Sequence, residues 1–215
     1  MVRIFVQSVK NRIGFGGGHL MYTIGLTGGI ASGKSTISGI LREFGAYIID
    51  ADEIARKIVM PNQPAWHGIV AHFGTEILLP DGKINREILG AKIFKNKAER
   101  QCLEKITHPH IKEEMQKSIA HAKSIGESVI VLDVPLLFES GWSKMVDGIW
   151  VVYVEKEIQL SRLMDRNQLT RQQAQERVDA QMSLDEKVKQ ADVVIDNNLD
   201  IEHARMQVAT AWRLL

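Results

Sequence analysis

The stretch Ile24-Gly-Leu-Thr-Gly-Gly-Ile-Ala-Ser-Gly-Lys-Ser-Thr36 decides the fold. Within it, Gly28 to Ser35 fits G-x-x-x-x-G-K-[ST] at every fixed position. The apolar run Tyr22–Thr27 ahead of it predicts a strand. Behind it, Ile37, Ile40, Leu41 and Phe44 stand at helical spacing. A glycine-rich turn between strand and helix is a phosphate site, because backbone N–H groups can approach phosphate oxygens there. The helix N-terminus adds unsatisfied donors and the positive end of a dipole. Lys34 then supplies a point charge to β- and γ-phosphates, and Ser35 a hydroxyl to Mg²⁺. The ATP contacts expected from this stretch are Gly28, Gly29, Ile30, Ala31, Ser32, Gly33, Lys34, Ser35 and Thr36.

Outward from the loop, strand and helix signals alternate. Ala46–Ile49, Val129–Leu132, Ile149–Val154 and Val193–Ile195 read as further strands, and the third and fourth of the five are continuous apolar runs of the kind parallel strands buried on both faces show. Helical patterns cover Asp52–Val59, Ala65–Phe73, a segment capped by Asn85, a long segment from about Lys97 to Lys123 interrupted by Pro109, Lys156–Asn167, Thr170–Met182 and Ile201–Leu215. The expected architecture is α/β: a five-stranded parallel sheet with helices on both faces, the P-loop NTPase fold, with an inserted helical substrate domain and a lid. Residues 21–215 are expected to form one unit, with a core over about 21–60 and 125–215, the insertion over about 61–124 and the lid over about 160–182. Residues 1–20 read as a leader or appended extension.

Composition narrows the function. The 215 residues carry 27 basic and 26 acidic side chains. Arg3, Lys10 and Arg12 stand in the leader with no acid, so residues 21–215 hold a net charge of −2. A mildly acidic body lacks the clustered cations that nucleic-acid binding needs. Cys102 is the single cysteine, which excludes an intrachain disulfide and fits a reducing, cytoplasmic setting. The longest uncharged stretch near the N-terminus, Ile13–Gly33, contains eight glycines and is no membrane span. His108-Pro109-His110 looks like a metal pair but has no third ligand nearby in sequence.

Four features narrow the reaction toward phosphoryl transfer. No N-K-x-D pattern marks a guanine site; the nearest string is Asn96-Lys97-Ala98-Glu99. The second strand runs into Asp50-Ala51-Asp52, which puts a carboxylate at the strand end where ligands of such sheets bind, and Asp52 is the expected base. Capping of the next helix is the other reading of Asp52. The strand Val129–Leu132 ends in Asp133, a carboxylate placed to orient Mg²⁺ or its waters. Arg162 and Arg166, one helical turn apart, could close over the γ-phosphate.

These residues carry a resemblance. The chain from Met21 onward resembles the dephospho-CoA kinase family through the loop above and through Ile49-Asp-Ala-Asp52 with Ala55-Arg56, and His72-Phe-Gly74. Further matching strings are Asp81-Gly-Lys-Ile-Asn-Arg86, Ile106-Thr-His-Pro109, Leu132-Asp-Val-Pro-Leu-Leu-Phe-Glu139, Ala180-Gln-Met182 and Ala191-Asp-Val-Val-Ile-Asp-Asn197. The resemblance implies ATP-dependent phosphorylation of the ribose 3′-hydroxyl of dephospho-CoA, giving coenzyme A and ADP, with Mg²⁺ the cofactor expected from Ser35 and Asp133. It puts Asp52 at the base position and Arg166 in the lid, where the family often has Asp and this chain has Asn167. Arg56, Arg86 and His108 join Asp52 as expected substrate contacts, and Asn197 joins the ATP contacts. The expected partner is the small-molecule substrate, with no nucleic acid and no membrane; homo-oligomer formation stays open. The rival readings are another small-molecule or nucleoside monophosphate kinase, and a non-catalytic ATP-binding module.

Overall fold

The computed structural model describes residues 21–94 and 96–215; the expected leader, residues 1–20, lies outside them. Five strands form one parallel sheet: β1 (Tyr22–Gly28), β2 (Tyr47–Asp50), β3 (Val129–Asp133), β4 (Gly148–Tyr153) and β5 (Val193–Asp196), in the order β2-β3-β1-β4-β5. β1 is central, with Leu26 opposite Asp133 of β3 and Trp150 of β4. The sheet is therefore parallel and five-stranded, as its apolar runs predict.

The described residues divide into two compact units, one of residues up to Ile49 together with Ala122–Leu215, the other Asp50–His121. In the first unit, side chains alternate between two covered faces. Ile24, Leu26, Trp150, Val152 and Ile195 meet Ile37, Ile40 and Leu41 of α1 (Lys34–Glu43) and Ala204, Val208 and Ala211 of α9 (Ile201–Trp212). On the opposite face Val151, with Ile149 and Tyr153, meets Leu184 and Val188 of α8 (Leu184–Val188) and Ile158 of α6 (Lys156–Asn167). Burial of both faces explains why β3 and β4 are apolar without alternation. α7 (Arg171–Asp179) follows α6 and packs Ala174 against Leu160 and Leu163.

The second unit is helical: α2 (Ala51–Lys57), α3 (Pro64–Phe73), α4 (Arg86–Phe94) and α5 (Lys97–Ser124), whose last turn crosses the unit boundary. Ile69, Phe73, Ile77 and Leu89 form its core, with Leu103 and Ile106 of α5 against them. Asn85 and Asn96 accept N–H bonds from the first turns of α4 and α5. Trp66 is a structural anchor, its indole N–H donating to Gly82 O at 2.9 Å across the Pro80–Gly82 turn.

Two local expectations fail. Pro109 does not interrupt α5, which runs continuously through it over 28 residues. Proline removes one N–H donor and clashes with one carbonyl, a cost of roughly 3 kcal/mol; the turns that follow it bury Ile111 and Met115, and that packing offsets the cost. The helix expected over Thr170–Met182 stops at Asp179, and a separate short helix, α8, begins after Ser183, whose hydroxyl accepts from Glu186 N–H.

Candidate active site

The phosphate loop joins β1 to α1. Gly33 caps the helix at φ 89 with no side-chain cap; its carbonyl accepts from the Thr36 and Ile37 N–H groups, and the N–H groups of Lys34 and Ser35 are the first-turn donors that face a ligand. A side chain at Gly33 would also run into the Asn197 amide. Asn197, buried at the end of β5, donates from Nδ2 to Ser32 O at 2.8 Å, while its own carbonyl accepts from Arg162 Nη2 at 3.0 Å. Ser35 and Thr36 are exposed in the first turn of α1. Asp133 is buried at the end of β3 and forms an ion pair with Lys34 Nζ. The structure thus brings together the loop residues, Lys34, Asp133, Asn197 and Arg162. Arg166 stands apart: it is exposed and its Nε donates to the neighbouring Asn167 side chain at 2.9 Å.

Behind the loop lies a polar network that the sequence gives no sign of. Lys187 of α8 is fully buried; its Nζ donates to Pro135 O at 2.8 Å and pairs with Glu139 at 3.0 Å. Burial pushes its ammonium below the ordinary lysine range, Glu139 draws it back, and the nearby charge of Lys34 lowers it further. Glu139 also accepts the Met182 N–H at 3.1 Å, and Pro135 O accepts the Thr27 hydroxyl. Glu139 is quoted in a matching string above, but Lys187 sits in a charged stretch that reads as a solvated face.

In the second unit, Asp52, Arg56 and Arg86 line one cavity of 520 Å³ together with Lys83 and Thr107. Its floor is apolar, with Val59, Ile69, Leu89, Leu103 and Ile111. Asp50, not Asp52, caps α2: its carboxylate accepts from the N–H groups of Asp52 and Glu53 at 2.8 and 3.1 Å. The Asp52 carboxylate is thereby left to the cavity. His108 is not among the lining residues, although its neighbour Thr107 is. Among the described residues no group of three or more His, Cys, Asp or Glu could hold a metal ion. No helix among them is long and apolar enough to cross a membrane.

A strand–glycine turn–helix with a lysine and a strand-end carboxylate converging on it, in a 2-3-1-4-5 parallel sheet, defines a P-loop kinase. Comparison with known proteins narrows this. Residues 22–203 match the family model described as Dephospho-CoA kinase. The chain is 54% identical over 187 residues to the dephospho-CoA kinase of Carboxydothermus hydrogenoformans, covering 87% of this chain and 91% of that one. It is 46% identical over 193 residues to that of Symbiobacterium thermophilum, covering 90% and 81%. A solved dephospho-CoA kinase from Campylobacter jejuni superposes with a TM-score of 0.67 at 33% identity, covering 89% and 95%. A shikimate kinase from Acinetobacter baumannii, at a TM-score of 0.50 and 17% identity over 90% and 92%, shares the fold alone. This chain belongs to the dephospho-CoA kinase family, and it is a phosphate-transferring kinase of coenzyme A biosynthesis.

Proposed function

We propose that the chain transfers the γ-phosphoryl group of ATP to the ribose 3′-hydroxyl of dephospho-CoA, with the residues named below in the roles given. Attack of the 3′-oxygen forms the new O–P bond as the bond from the γ-phosphorus to the β,γ-bridging oxygen breaks. The hydroxyl proton passes to Asp52. ADP leaves with the bridging oxygen, and coenzyme A carries the phosphate. Lys34 and loop N–H groups, those of Lys34 and Ser35 among them, hold the β- and γ-phosphates, and Asn197 fixes the loop through Ser32. Arg162, close to Gly33, stabilises charge on the transferred group, and Arg166 joins it when the lid over about 160–182 closes.

The donor set suits Mg²⁺: the exposed Ser35 hydroxyl and the Asp133 carboxylate are hard oxygen donors, and Mg²⁺ takes few protein ligands when phosphates and waters supply the rest. Ser35 would hold it directly and Asp133 through water. The ion would supply positive charge that offsets the charge on the phosphates.

The second unit, residues 50–121, takes dephospho-CoA. Asp52, Arg56, Arg86 and Lys83 around an apolar floor supply one carboxylate for the hydroxyl and three cations for phosphates; His108 contributes from beside Thr107. The setting is cytoplasmic, in keeping with the single cysteine. The observation that carries the reading is the gathering of Asp52, Arg56 and Arg86 in one cavity of a chain whose other unit holds a complete phosphate loop. Steady-state assay of Asp52→Ala with dephospho-CoA and ATP–Mg²⁺ tests it. A loss in kcat of about 10²–10⁴-fold is expected for a general base, and a kcat within about threefold of wild type removes Asp52 from that role.

A further inference from the structure

The phosphate loop is gripped by two glutamines outside its motif. Ile30 donates its N–H to Gln181 Oε1 at 2.9 Å, and its carbonyl accepts from Gln159 Nε2 at 2.7 Å. Gln159 is buried on α6, and Gln181 lies in the short segment between α7 and α8. The next residue, Ala31, has φ 59. A residue with a Cβ is disfavoured in this left-handed region. The carbonyl that Gln159 holds belongs to the peptide unit whose orientation sets the Ala31 φ. The grip therefore acts on the one strained torsion of a non-glycine residue in the loop.

Two further observations agree. Gly29 occupies a position that the loop motif leaves unspecified, and its φ is not left-handed. A Cβ there would lie 2.5 Å from Gln159 Nε2 and 3.3 Å from Leu184 Cγ. Glycine at 29 is explained by the space that the Gln159 amide needs. The segment bearing Gln181 is itself tied down, since the adjacent Met182 N–H bonds to Glu139, which is held by buried Lys187.

We propose that Gln159 and Gln181 are positioning residues that preset the phosphate loop for ATP, holding Ala31 in its left-handed conformation before nucleotide arrives. They touch the loop backbone and act through it. Their effect falls on nucleotide affinity and not on the acceptor substrate. This rests on the reading of residues 28–36 as the ATP site.

The test uses the full chain with Gln159→Met and Gln181→Met, which keep side-chain length and remove the hydrogen bond. KM for ATP, KM for dephospho-CoA, kcat, Tm and calorimetric Kd for ADP are measured for each. Loss of a partly buried hydrogen bond to the loop predicts KM for ATP and Kd for ADP raised about tenfold, with kcat and KM for dephospho-CoA within about twofold. Adding Ala31→Gly to Gln181→Met should recover about fivefold, because glycine bears no left-handed penalty. Gly29→Ala, which crowds the Gln159 amide and leaves both glutamines in place, should give the same ATP-specific rise and serves if a methionine variant fails to fold. Unchanged ATP constants overturn the proposal. So does an equal rise in both KM values that follows a fall in Tm, and so does an ATP-specific loss that Ala31→Gly fails to relieve. Lys34→Met separates this from the parent reading: if Lys34→Met binds ADP like wild type, the loop is not the nucleotide site; if it loses ADP while the glutamine variants do not, only the grip is wrong.

Discussion

Replacing either partner of the Lys34–Asp133 pair should have unequal consequences for folding, although both changes damage catalysis. The Asp133 side chain is 6% exposed and the Lys34 side chain 16%. In Lys34→Met the carboxylate stays at the buried end of β3 and loses the Lys34 ammonium. Breaking a buried pair this way costs about 3–5 kcal/mol, and the partial exposure of the lysine puts the expected loss near the lower end. In Asp133→Asn the lysine's four-carbon stem lets its ammonium turn toward water, and the amide oxygen still accepts hydrogen bonds, so about 1 kcal/mol is expected. A chain of this size loses about 2–4 °C of Tm per kcal/mol. Lys34→Met should therefore melt roughly 6–12 °C below wild type and Asp133→Asn roughly 2–4 °C below. Urea and thermal unfolding of the nucleotide-free protein measure this. The double variant should be more stable than Lys34→Met alone, since the carboxylate charge that has lost Lys34 is gone. Equal losses, a larger loss in Asp133→Asn, or strict additivity in the double variant would refute the burial argument.

Other consequences are as specific. Lys187→Met should lower Tm by about 2–8 °C, because it removes one donor from Pro135 O and the cation from Glu139. The wild-type lysine is held below its ordinary value of 10.5 by burial, so the unfolded chain binds more protons than the folded one between the two values. The contribution of Lys187 to stability thus rises with pH in that window. Urea melts at neutral and alkaline pH should show wild type gaining on Lys187→Met as pH increases; a constant or shrinking gap contradicts this. Asn197→Ala leaves Ser32 O without its buried donor and should raise KM for ATP about tenfold, read by steady-state kinetics. Arg56→Ala and Arg86→Ala should each raise KM for dephospho-CoA about tenfold or more, as loss of a charge-assisted phosphate contact does, with KM for ATP within twofold; a change confined to ATP would move them out of the acceptor cavity.

The phosphate loop was legible because its chemistry needs fixed residues at fixed spacing between a strand and a helix. The sheet was legible because strands buried on both faces must be apolar throughout. What escaped depended on partners far away in sequence. Lys187 reads as surface charge, and only the fold shows that Pro135 and Glu139 surround it 52 and 48 residues away. Gln159 and Gln181 are polar residues in polar segments, and their bonds to Ile30 span 129 and 151 residues. Local chemistry misled in smaller ways. Asp52 could cap the next helix on paper, and backbone geometry gives the cap to Asp50. Pro109 is a helix breaker by propensity, yet α5 passes through it.

The most direct measurement of the central claim is product analysis after incubation of the purified chain with dephospho-CoA and ATP–Mg²⁺. The account predicts equimolar coenzyme A and ADP, the new phosphate on the ribose 3′-oxygen by mass spectrometry, and no comparable turnover of adenosine monophosphate or shikimate. Phosphorylation of one of those acceptors with dephospho-CoA left intact, or ATP binding without any transfer in a single turnover, would contradict it.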